Sequence, residues 1–335
     1  MTDIDPAEQP EHGADQPEHQ PFSRVRVSFA YRLLRGTKPE VDEVDRLIEK
    51  CTTVDQLRRQ LVTDAGARLH GLFQESIQLR FLKAPAPQVE VDVPGPVLER
   101  LLGRVESVWR GFGENDPFWS VLTRFKPAGA AVDRAAFYAT GRKRVEFLAA
   151  ALARNGVDIA SLPVCFELGA GVGRLTAWLA ERFERVIAAD ISSAHLDVAA
   201  KELSARGKTN VAFLRVATMA ELEGAPPFDV FFSIISLQHS PPPVIKRVLE
   251  ILLAKLNPGG VAYFQLPTLI PEQRFAADTY MPPTSPREQM ETFAVPQKVL
   301  FQLFDALGLK VLEVREDNQC GPHKLSNCFL LQKPR

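Results

Sequence analysis

The chain has 335 residues, a formal net charge of −1 and 45% hydrophobic residues, enough apolar material for one large core and a smaller one. With balanced charge and no clustered basic surface, the sequence predicts no nucleic-acid partner, because binding phosphates takes grouped lysines and arginines. No apolar run approaches the roughly 18 residues of a membrane helix, so we expect no membrane span. The N-terminal residues lack the basic and apolar pattern of a secretory signal.

The cysteines indicate the expected redox environment. Cys51, Cys165, Cys320 and Cys328 form no metal-like pair, and Cys165 falls in a predicted buried strand. We therefore expect reduced thiols in a cytoplasmic protein. Because the sequence has neither metal-ligand spacing nor a paired-carboxylate motif, it predicts no metal-assisted chemistry.

The first 82 residues divide into two parts. Residues 1–22 carry six acids, several prolines and no lysine or arginine, which predicts a disordered acidic tail. Residues 23–82 follow a helical pattern, with Thr53 and Gln56 as a capping box and Val54, Leu57 and Leu61 on one buried face. This pattern predicts a small helical module.

Residues 83–135 are predicted to form a linker followed by a helix. Prolines and alternating valines in residues 83–94 indicate an extended linker. The helix is expected to run from Pro96 to Gly111, with Leu101, Val105 and Trp109 along it.

A strand followed by a glycine-rich turn is predicted at residues 164–175, V-C-F-E-L-G-A-G-V-G-R-L. The apolar run ends in the acid Glu167, and Gly169, Gly171 and Gly173 alternate after it. Glycine permits positive φ angles and a close approach of the backbone to a ligand. The dinucleotide fingerprint G-x-G-x-x-G would need its third glycine where Arg174 stands. The spacing therefore favours a different cofactor, and a tight turn without a ligand is the alternative.

The next predicted strand, residues 186–190, ends at Asp190. This acid lies 190 − 169 = 21 residues after Gly169, and a carboxylate at such a strand end can accept bonds from both hydroxyls of a ribose. A second, compatible role is to place negative charge at the start of a helix that Ser192 or Ser193 caps.

Strands and helices alternate along the rest of the chain. Strands are predicted at residues 211–216, 228–235, 261–266, 310–315 and 327–332, with a turn at 257–260 and helices at 143–154, 194–206, 244–252 and 297–307. The alternation predicts an α/β fold with a doubly wound parallel sheet. In such folds ligands bind outside the carboxyl ends of the strands, where Asp190, Thr218, Gln238 and Gln265 fall.

Together these features resemble the class I S-adenosylmethionine (SAM)-dependent methyltransferases. The resemblance rests on E-x-G-x-G-x-G at residues 167–173, L-Q-H-x-P at 237–241 and P-G-G at 258–260, and it spans about residues 138–332. It implies a methyltransferase domain over residues 136–335 with SAM as its cofactor. It also implies a Rossmann-like, seven-stranded sheet whose last strand inserts antiparallel between the fifth and the sixth.

The resemblance also implies which residues contact SAM. They are Glu167, Gly169, Ala170, Gly171, Gly173, Asp190, Ile191, Thr218, Met219, Ser236, Gln238, Tyr138 and Gly141. Glu167 is expected to hold the amino group and the glycine turn to lie against the methionine part. The family often places an acid near residues 217–221, which read A-T-M-A-E here. Thr218 is expected to bond the adenine amino group instead, and Met219 to pack on the adenine.

Three segments of the N-terminal half add to the resemblance. Residues 114–123, E-N-D-P-F-W-S-V-L-T, and 137–141, F-Y-A-T-G, resemble the leader of a bacterial subgroup found in glycan and small-metabolite clusters. That resemblance implies that residues 83–135 form a lid over SAM, with Tyr138 and Gly141 near its carboxylate. The alternative role of these two residues is to pack the helix at 143–154. Residues 31–39, Y-R-L-L-R-G-T-K-P, are similar to a helical module often joined to enzymes of bacterial surface-polysaccharide assembly, and an ordinary helical domain is the alternative.

His239 is the predicted general base. A hydroxyl acceptor must lose its proton, and a histidine with a pKa of about 6.5 suits neutral pH. The alternative is a structural histidine that shapes the loop before Pro241, and His323 is a weaker candidate for the base.

The proline-bearing insertion at residues 267–296 is expected to shape the acceptor pocket, with Tyr280 either stacking on the acceptor or packing within the loop.

The sequence thus predicts a SAM-dependent methyltransferase whose partner is a small-molecule or glycan acceptor. The expected acceptor is polar and bears a hydroxyl, as a sugar or glycan precursor does, and this class follows from the resemblance alone. The alternatives are an O- or N-methyltransferase of another small metabolite, a nicotinamide-dependent oxidoreductase and a non-catalytic SAM-binding protein.

Overall fold

The computed structural model describes residues 23–35, 38–53, 56–57, 60–61, 81, 83–122, 131–280, 290–317, 319–321 and 323–335. The chain divides into two compact units, Met1–Arg80 and Phe81–Arg335. The predicted acidic tail lies outside the described residues, as does Val54. None of the helices in the described ranges combines the length and hydropathy of a bilayer-spanning segment.

The first unit contains two described helices, α1 (Arg24–Arg35) and α2 (Val41–Lys50). Their apolar faces form a small core made of Val27, Tyr31, Val44, Leu47, Cys51, Leu57 and Leu61. The expected capping box is present, because the Gln56 N–H donates to Thr53 Oγ1 over 3.2 Å and the Thr53 N–H donates to Gln56 Oε1 over 3.3 Å.

The second unit alternates strands with helices. Its helices are α3 (Gly95–Asn115), α4 (Pro117–Val121), α5 (Arg134–Ala139), α6 (Arg142–Arg154), α7 (Thr176–Leu179), α8 (Ser193–Ala205), α9 (Met219–Glu223), α10 (Pro242–Ala254) and α11 (Gln297–Ala306). Its strands are β1 (Gln88–Val89), β2 (Val164–Leu168), β3 (Arg185–Asp190), β4 (Val211–Arg215), β5 (Phe228–Ser233), β6 (Leu256–Leu269), β7 (Arg274–Phe275), β8 (Lys310–Asp317) and β9 (Leu325–Gln332). Short 3₁₀ turns lie at Ile159–Ser161 and Leu237–His239.

Seven of these strands form one mixed sheet in the order β4-β3-β2-β5-β6-β9-β8. Neighbouring strands from β4 to β6 are parallel, whereas β9 runs antiparallel to both β6 and β8. This arrangement confirms the predicted Rossmann-like sheet with its last strand inserted antiparallel. The strand order reverses between β2 and β5, which is the place where open α/β sheets bind ligands.

Successive side chains of each strand point to opposite faces of the sheet, and both faces are buried. Phe166 and Phe231 point into one core cluster with the helix α10, and Cys165 and Phe232 point into the other with the helix α6. Because both faces are covered by helices, these strands read as continuous apolar runs in the sequence.

The strand β6 is longer than predicted. Phe228 pairs with Leu256 and Val230 pairs with Val261, so residues 257–260 bulge out of the pairing instead of preceding the strand as a turn. Gly259 has a φ of 81°, which a glycine adopts without strain. The P-G-G segment therefore lies within the strand.

The predicted linker at residues 83–94 contains a paired strand. Gln88 and Val89 of β1 pair in parallel with Arg274 and Phe275 of β7. The Ala277 N–H also donates to Glu90 Oε2 over 2.7 Å. This part of the segment is extended, as predicted, but it is held by the insertion after β6 and is not a free spacer.

Candidate functional site

The glycine turn follows β2 directly. Gly169, Gly171 and Gly173 have φ angles of 81°, 54° and 80°. A Cβ at Gly169 would overlap the Ser236 side chain, and a Cβ at Gly171 would lie 2.6 Å from Val121 Cγ2. Side chains are thus excluded at both positions, and the backbone of the turn faces open space directly.

Glu167 lies beneath the turn with one carboxylate oxygen free. Its Oε2 accepts a 2.5 Å hydrogen bond from Thr176 Oγ1, while its buried Oε1 has no partner among the described residues. Burial raises the pKa of Glu167 to about 7, against the opposing effects of the Thr176 bond and the Arg174 charge. A buried carboxylate with an unused oxygen suits an ammonium ligand.

Asp190 ends β3 beside the turn. Its Oδ2 accepts from the Gly171 N–H over 2.8 Å, and its Oδ1 accepts from the Ser192 N–H over 2.9 Å. Each carboxylate oxygen has a further lone pair, so the group can still accept two hydroxyl protons. Ser192 caps α8, because its Oγ accepts from the His195 N–H over 3.3 Å. Ser192 therefore caps α8, and Asp190 places its charge at the start of that helix, as the compatible role predicted. The ribose role of Asp190 stays a prediction.

A cavity of about 460 Å³ opens at this point of the sheet, a size typical of small-molecule sites. Eight of the residues predicted from the sequence line it: Gly169, Ala170, Gly171, Asp190, Ile191, Ser236, Gln238 and His239. A group of apolar side chains lines it as well: Leu102, Val105, Val216, Leu222, Val244, Ile245 and Val248. Glu167 and Gly173 belong to the turn but are not part of the lining.

Thr218 and Met219, the predicted adenine contacts, both make contacts within the fold. Thr218 is exposed and caps α9, with its hydroxyl oxygen accepting from the Glu221 N–H over 3.1 Å and its own N–H donating to Glu221 Oε2 over 3.1 Å. Met219 is buried in the core. Neither residue lines the cavity, and the Thr218 hydroxyl keeps one lone pair and its own hydrogen beside the capping bond. Their adenine contacts stay a prediction.

Tyr138 and Gly141 also lie outside the cavity lining. The Tyr138 hydroxyl donates to the Val172 carbonyl over 2.5 Å, and Trp178 Nε1 donates to the Tyr138 carbonyl over 2.7 Å. A Cβ at Gly141 would overlap the Arg174 carbonyl oxygen. The two residues therefore contact the segment of the glycine turn, and their expected place near the SAM carboxylate stays a prediction.

The helices α3 and α4 contribute residues that the sequence did not single out for the site. Trp109 lines the cavity, with its ring 5.3 Å from that of His239 and 6.3 Å from that of His195. The Ser120 hydroxyl donates to the Pro117 carbonyl over 2.9 Å and lies 2.8 Å from His195 Nε2, so this nitrogen carries the hydrogen. His195 Nδ1 is buried without a partner among the described residues. The sequence indicated this part of the site only through His195, a histidine shortly after Asp190.

His239 lines the cavity as a neutral imidazole. Its Nδ1 lies 2.8 Å from the Glu291 carbonyl oxygen, so Nδ1 carries the hydrogen and Nε2 carries the lone pair. Burial and, to a smaller extent, the Lys324 charge lower the pKa of His239 to about 4, although the hydrogen bond to the Glu291 carbonyl opposes them. At neutral pH Nε2 is therefore unprotonated and lies 3.3 Å from Gln238 Nε2, but it is a weaker base than the imidazole with a pKa of about 6.5 on which the sequence argument relied.

Gln265 fixes the loop that carries His239. Its Oε1 accepts from the Ile235 N–H over 2.9 Å, and its Nε2 donates to Gln238 Oε1 over 3.2 Å. Ile235 has a φ of 53°, which is strained for a β-branched residue and is held here by that hydrogen bond. The strained loop keeps Gln238 and His239 at the cavity wall.

The two other expected acceptor residues lie away from the cavity. His323 is exposed and outside the lining. Tyr280 packs on Phe275 with ring centroids 5.1 Å apart, and its hydroxyl donates to Glu291. The insertion reaches the cavity instead through Met290 and Thr292.

No group of three or more His, Cys, Asp or Glu side chains within the described ranges is arranged to hold a metal ion.

A family model matches the part of the chain that carries most of this site. Residues 166–262 match the model of a family described as a methyltransferase domain, whereas no curated protein matches the chain. The matched segment contains Glu167, the glycine turn, Asp190 and His239.

Several solved structures are similar to the chain. Magnesium protoporphyrin IX methyltransferase from Synechocystis PCC 6803 with bound S-adenosylhomocysteine (SAH) is 14% identical over 68% of this chain and 99% of its own, with a TM-score of 0.48. The [4+2]-cyclase SpnF is 14% identical over 75% and 98%, with a TM-score of 0.46. The DhpI complex with SAH is 20% identical over 70% and 98%, with a TM-score of 0.44. Similarities at these TM-scores carry no argument about function.

Proposed function

We propose that this protein, a methyltransferase whose cofactor is SAM, transfers the methyl group to a polar, hydroxyl-bearing small molecule such as a sugar or glycan precursor. The observation that carries the proposal is the glycine turn of residues 167–173, which opens with Asp190 onto a cavity that His239 also lines. The turn and Asp190 form the cofactor side, and the loop with His239 forms the acceptor side.

The residues present fit SAM. The unused Oε1 of Glu167 supplies the partner for its ammonium, and the carboxylate of Asp190 supplies two acceptors for its ribose hydroxyls. The apolar lining around Val216 and Val248 suits a purine ring. Gly169 and Gly171 line the cavity, so the methionine part can lie directly against the backbone of the turn.

SAM supplies an electrophilic methyl carbon bonded to a positively charged sulfur. The hydroxyl oxygen of the acceptor forms a bond to that carbon as the carbon–sulfur bond breaks and its electron pair stays on sulfur. His239 Nε2 takes the hydroxyl proton, since it carries the lone pair and lies in the cavity wall. The remaining task of the protein is to hold the reactants in line and to exclude water.

Polar side chains support the choice of a hydroxylated acceptor. Gln238, Ser240, Thr292, Gln319 and Lys324 all line the cavity and offer hydrogen bonds to hydroxyl groups. The resemblance of residues 114–123 and 137–141 to a subgroup of glycan and small-metabolite enzymes points the same way. Another small metabolite, methylated on oxygen or nitrogen, is the nearest alternative.

Two alternatives belong to other classes. A nicotinamide-dependent oxidoreductase would need a glycine for the pyrophosphate where the buried Arg174 stands. A non-catalytic SAM-binding protein would have the same cofactor side but no use for His239.

Four further expectations stay predictions. They are the acidic tail, the role of the N-terminal module, the lid role of residues 83–135 and a cytoplasmic location.

The experiment is methyl transfer from labelled SAM to fractions of an extract of the protein's own cells. We expect label in a polar small-molecule fraction, and His239→Ala should lower the rate by on the order of 100-fold or more. The matched control is His323→Ala, which removes an exposed histidine outside the cavity and should leave the rate unchanged. Binding of SAH without any transfer would favour the non-catalytic alternative, and tight binding of NAD without SAH binding would favour the oxidoreductase.

A further inference from the structure

Three cationic side chains line the cavity. They are Arg144 of α6, Arg174 after the glycine turn and Lys324 before β9. Within the described part of the chain, none of them pairs with a carboxylate at ion-pair distance, and Asp190 is the only acidic residue in the lining. The cavity wall therefore carries an excess of positive charge.

The three cations are poorly compensated by other groups. Arg174 is 8% exposed, its Nε has no partner among the described residues and its Nη1 lies 3.4 Å from Thr140 Oγ1. Burial lowers the pKa of Arg174 to about 10 and also lowers the pKa of Lys324. Arg144 contacts the Phe147 ring, with its Cζ 5.9 Å from the ring centroid. Unpaired cations in a partly enclosed cavity cost free energy unless an anion enters it.

The cofactor does not remove this excess. SAM carries a sulfonium and an ammonium against one carboxylate, so binding it adds positive charge to the cavity. Arg174 lies beside Glu167 at the turn, which places it nearest the methionine part of the cofactor. Arg144 lies near Arg174 and Cys328, and Lys324 lies near His239 and Cys320. Asp317 lies beside Cys328 but does not line the cavity, and its Oδ2 accepts from Ser326 Oγ and Cys328 Sγ instead.

We propose that the acceptor is an anion, bearing a phosphate or a carboxylate group that Arg144 and Lys324 bind beside His239. The inference rests on the proposed function and narrows its acceptor to a hydroxyl compound with negative charge. Phosphate and carboxylate share the chemistry that an arginine and a lysine recognise. The positive wall also rejects cationic acceptors, because it would leave like charges together in one cavity.

The test is calorimetric titration of the full chain, first with SAH and then, on the SAH complex, with four probes at constant ionic strength. The probes are inorganic phosphate, glucose 1-phosphate, glucuronate and glucose. We expect the anionic probes to bind and neutral glucose to bind at least about tenfold more weakly. A preference for the phosphates or for glucuronate assigns the anion.

The variants Arg144→Gln and Lys324→Met should lower the affinity for the anionic probes by about tenfold or more while leaving the SAH affinity unchanged. Lys324→Arg should retain anion binding. The matched control is Lys143→Met, which removes an exposed lysine next to Arg144 that does not line the cavity.

Equal binding of glucose and the anionic probes would overturn the inference, as would anion binding that Arg144→Gln and Lys324→Met leave intact. A protein that binds no SAH would contradict the proposed function instead. The anion titration of that protein, compared with Lys324→Met, would still decide whether the cationic site exists.

Discussion

We expect Glu167 to couple cofactor binding to pH. Its pKa is raised to about 7 by burial, so the folded protein without ligand holds a proton there that the unfolded chain releases at lower pH. The folded state therefore binds more protons between the unfolded pKa and about 7, and this contribution to stability is lost as pH rises through that window. An ammonium ligand needs the ionised carboxylate, so binding must expel the proton.

We accordingly expect SAH affinity to rise by about fivefold between pH 6 and pH 7, with proton release on binding. Calorimetry in buffers of different ionisation enthalpy measures both quantities. Glu167→Gln should bind SAH more weakly and without this pH dependence. An affinity of the wild-type protein that is flat over the same range would remove Glu167 from the ammonium site.

Asp190 is the second residue whose substitution should lower the affinity for the cofactor. Asp190→Ala should weaken SAH binding by on the order of 1 to 3 kcal/mol, because charge-assisted bonds to the ribose are lost. It should also destabilise the fold, since the N–H groups of Gly171 and Ser192 lose their acceptor. Calorimetry and thermal unfolding measure the two effects. Asp197→Ala, at an exposed acid of α8, is the control, and equal SAH affinity in both variants would contradict the ribose role.

At the scale of single residues, the sequence predicted the positions that depend on short-range patterns. Gly169, Gly171 and Asp190 follow from the strand, turn and strand around them, and they line the cavity as expected. Thr218 remains a predicted adenine contact, although its hydroxyl also accepts the capping bond of α9. Trp109 and Lys324 reach the cavity only through packing between segments distant in sequence, and no local pattern carries that information.

The helix α3 forms one wall of the cavity, and its fit against α8 is close. A Cβ at Gly113 would lie 2.7 Å from Ser192 Oγ and 2.8 Å from His195 Nδ1, whereas a Cβ at Gly111 would meet nothing within 4 Å. Two glycines in one helix thus provide a matched pair of substitutions.

Gly113→Ala should destabilise the protein by about 1 to 3 kcal/mol and weaken SAH binding, because α3 must shift from the cavity wall. Gly111→Ala should stabilise it by about 0.5 to 1 kcal/mol, since alanine favours a helix interior over glycine. Denaturant unfolding and SAH titration measure the difference. Equal effects of the two substitutions would show that α3 does not pack against α8 in this way.

At the scale of elements, hydrophobic periodicity predicted where the strands of the large sheet lie along the chain. The position of β9 between β6 and β8 was predicted from the resemblance to the methyltransferase family. The pairing of β1 with β7 was not predictable, because a two-residue strand has no measurable period and its partner lies about 190 residues later. The extension of β6 through residues 257–260 was missed for a related reason. A P-G-G sequence favours a turn locally, and only the pairing of its flanks with β5 makes it a bulge.

The whole molecule consists of two units, and the cavity belongs to one of them. Every lining residue falls between Leu102 and Lys324, inside the unit Phe81–Arg335. We expect a chain beginning at residue 81 to bind SAH with unchanged affinity, as measured by calorimetry. Loss of binding in a truncated chain that still unfolds cooperatively would mean that the first unit contributes to the cofactor site.

The most direct measurement of the central claim is a crystal structure of the full chain with SAH. We expect SAH in the cavity, with its amino group at Glu167, its ribose hydroxyls on Asp190 and its sulfur facing the wall that holds His239. Finding SAH elsewhere on the protein, or finding the cavity filled by its own side chains, would contradict the account.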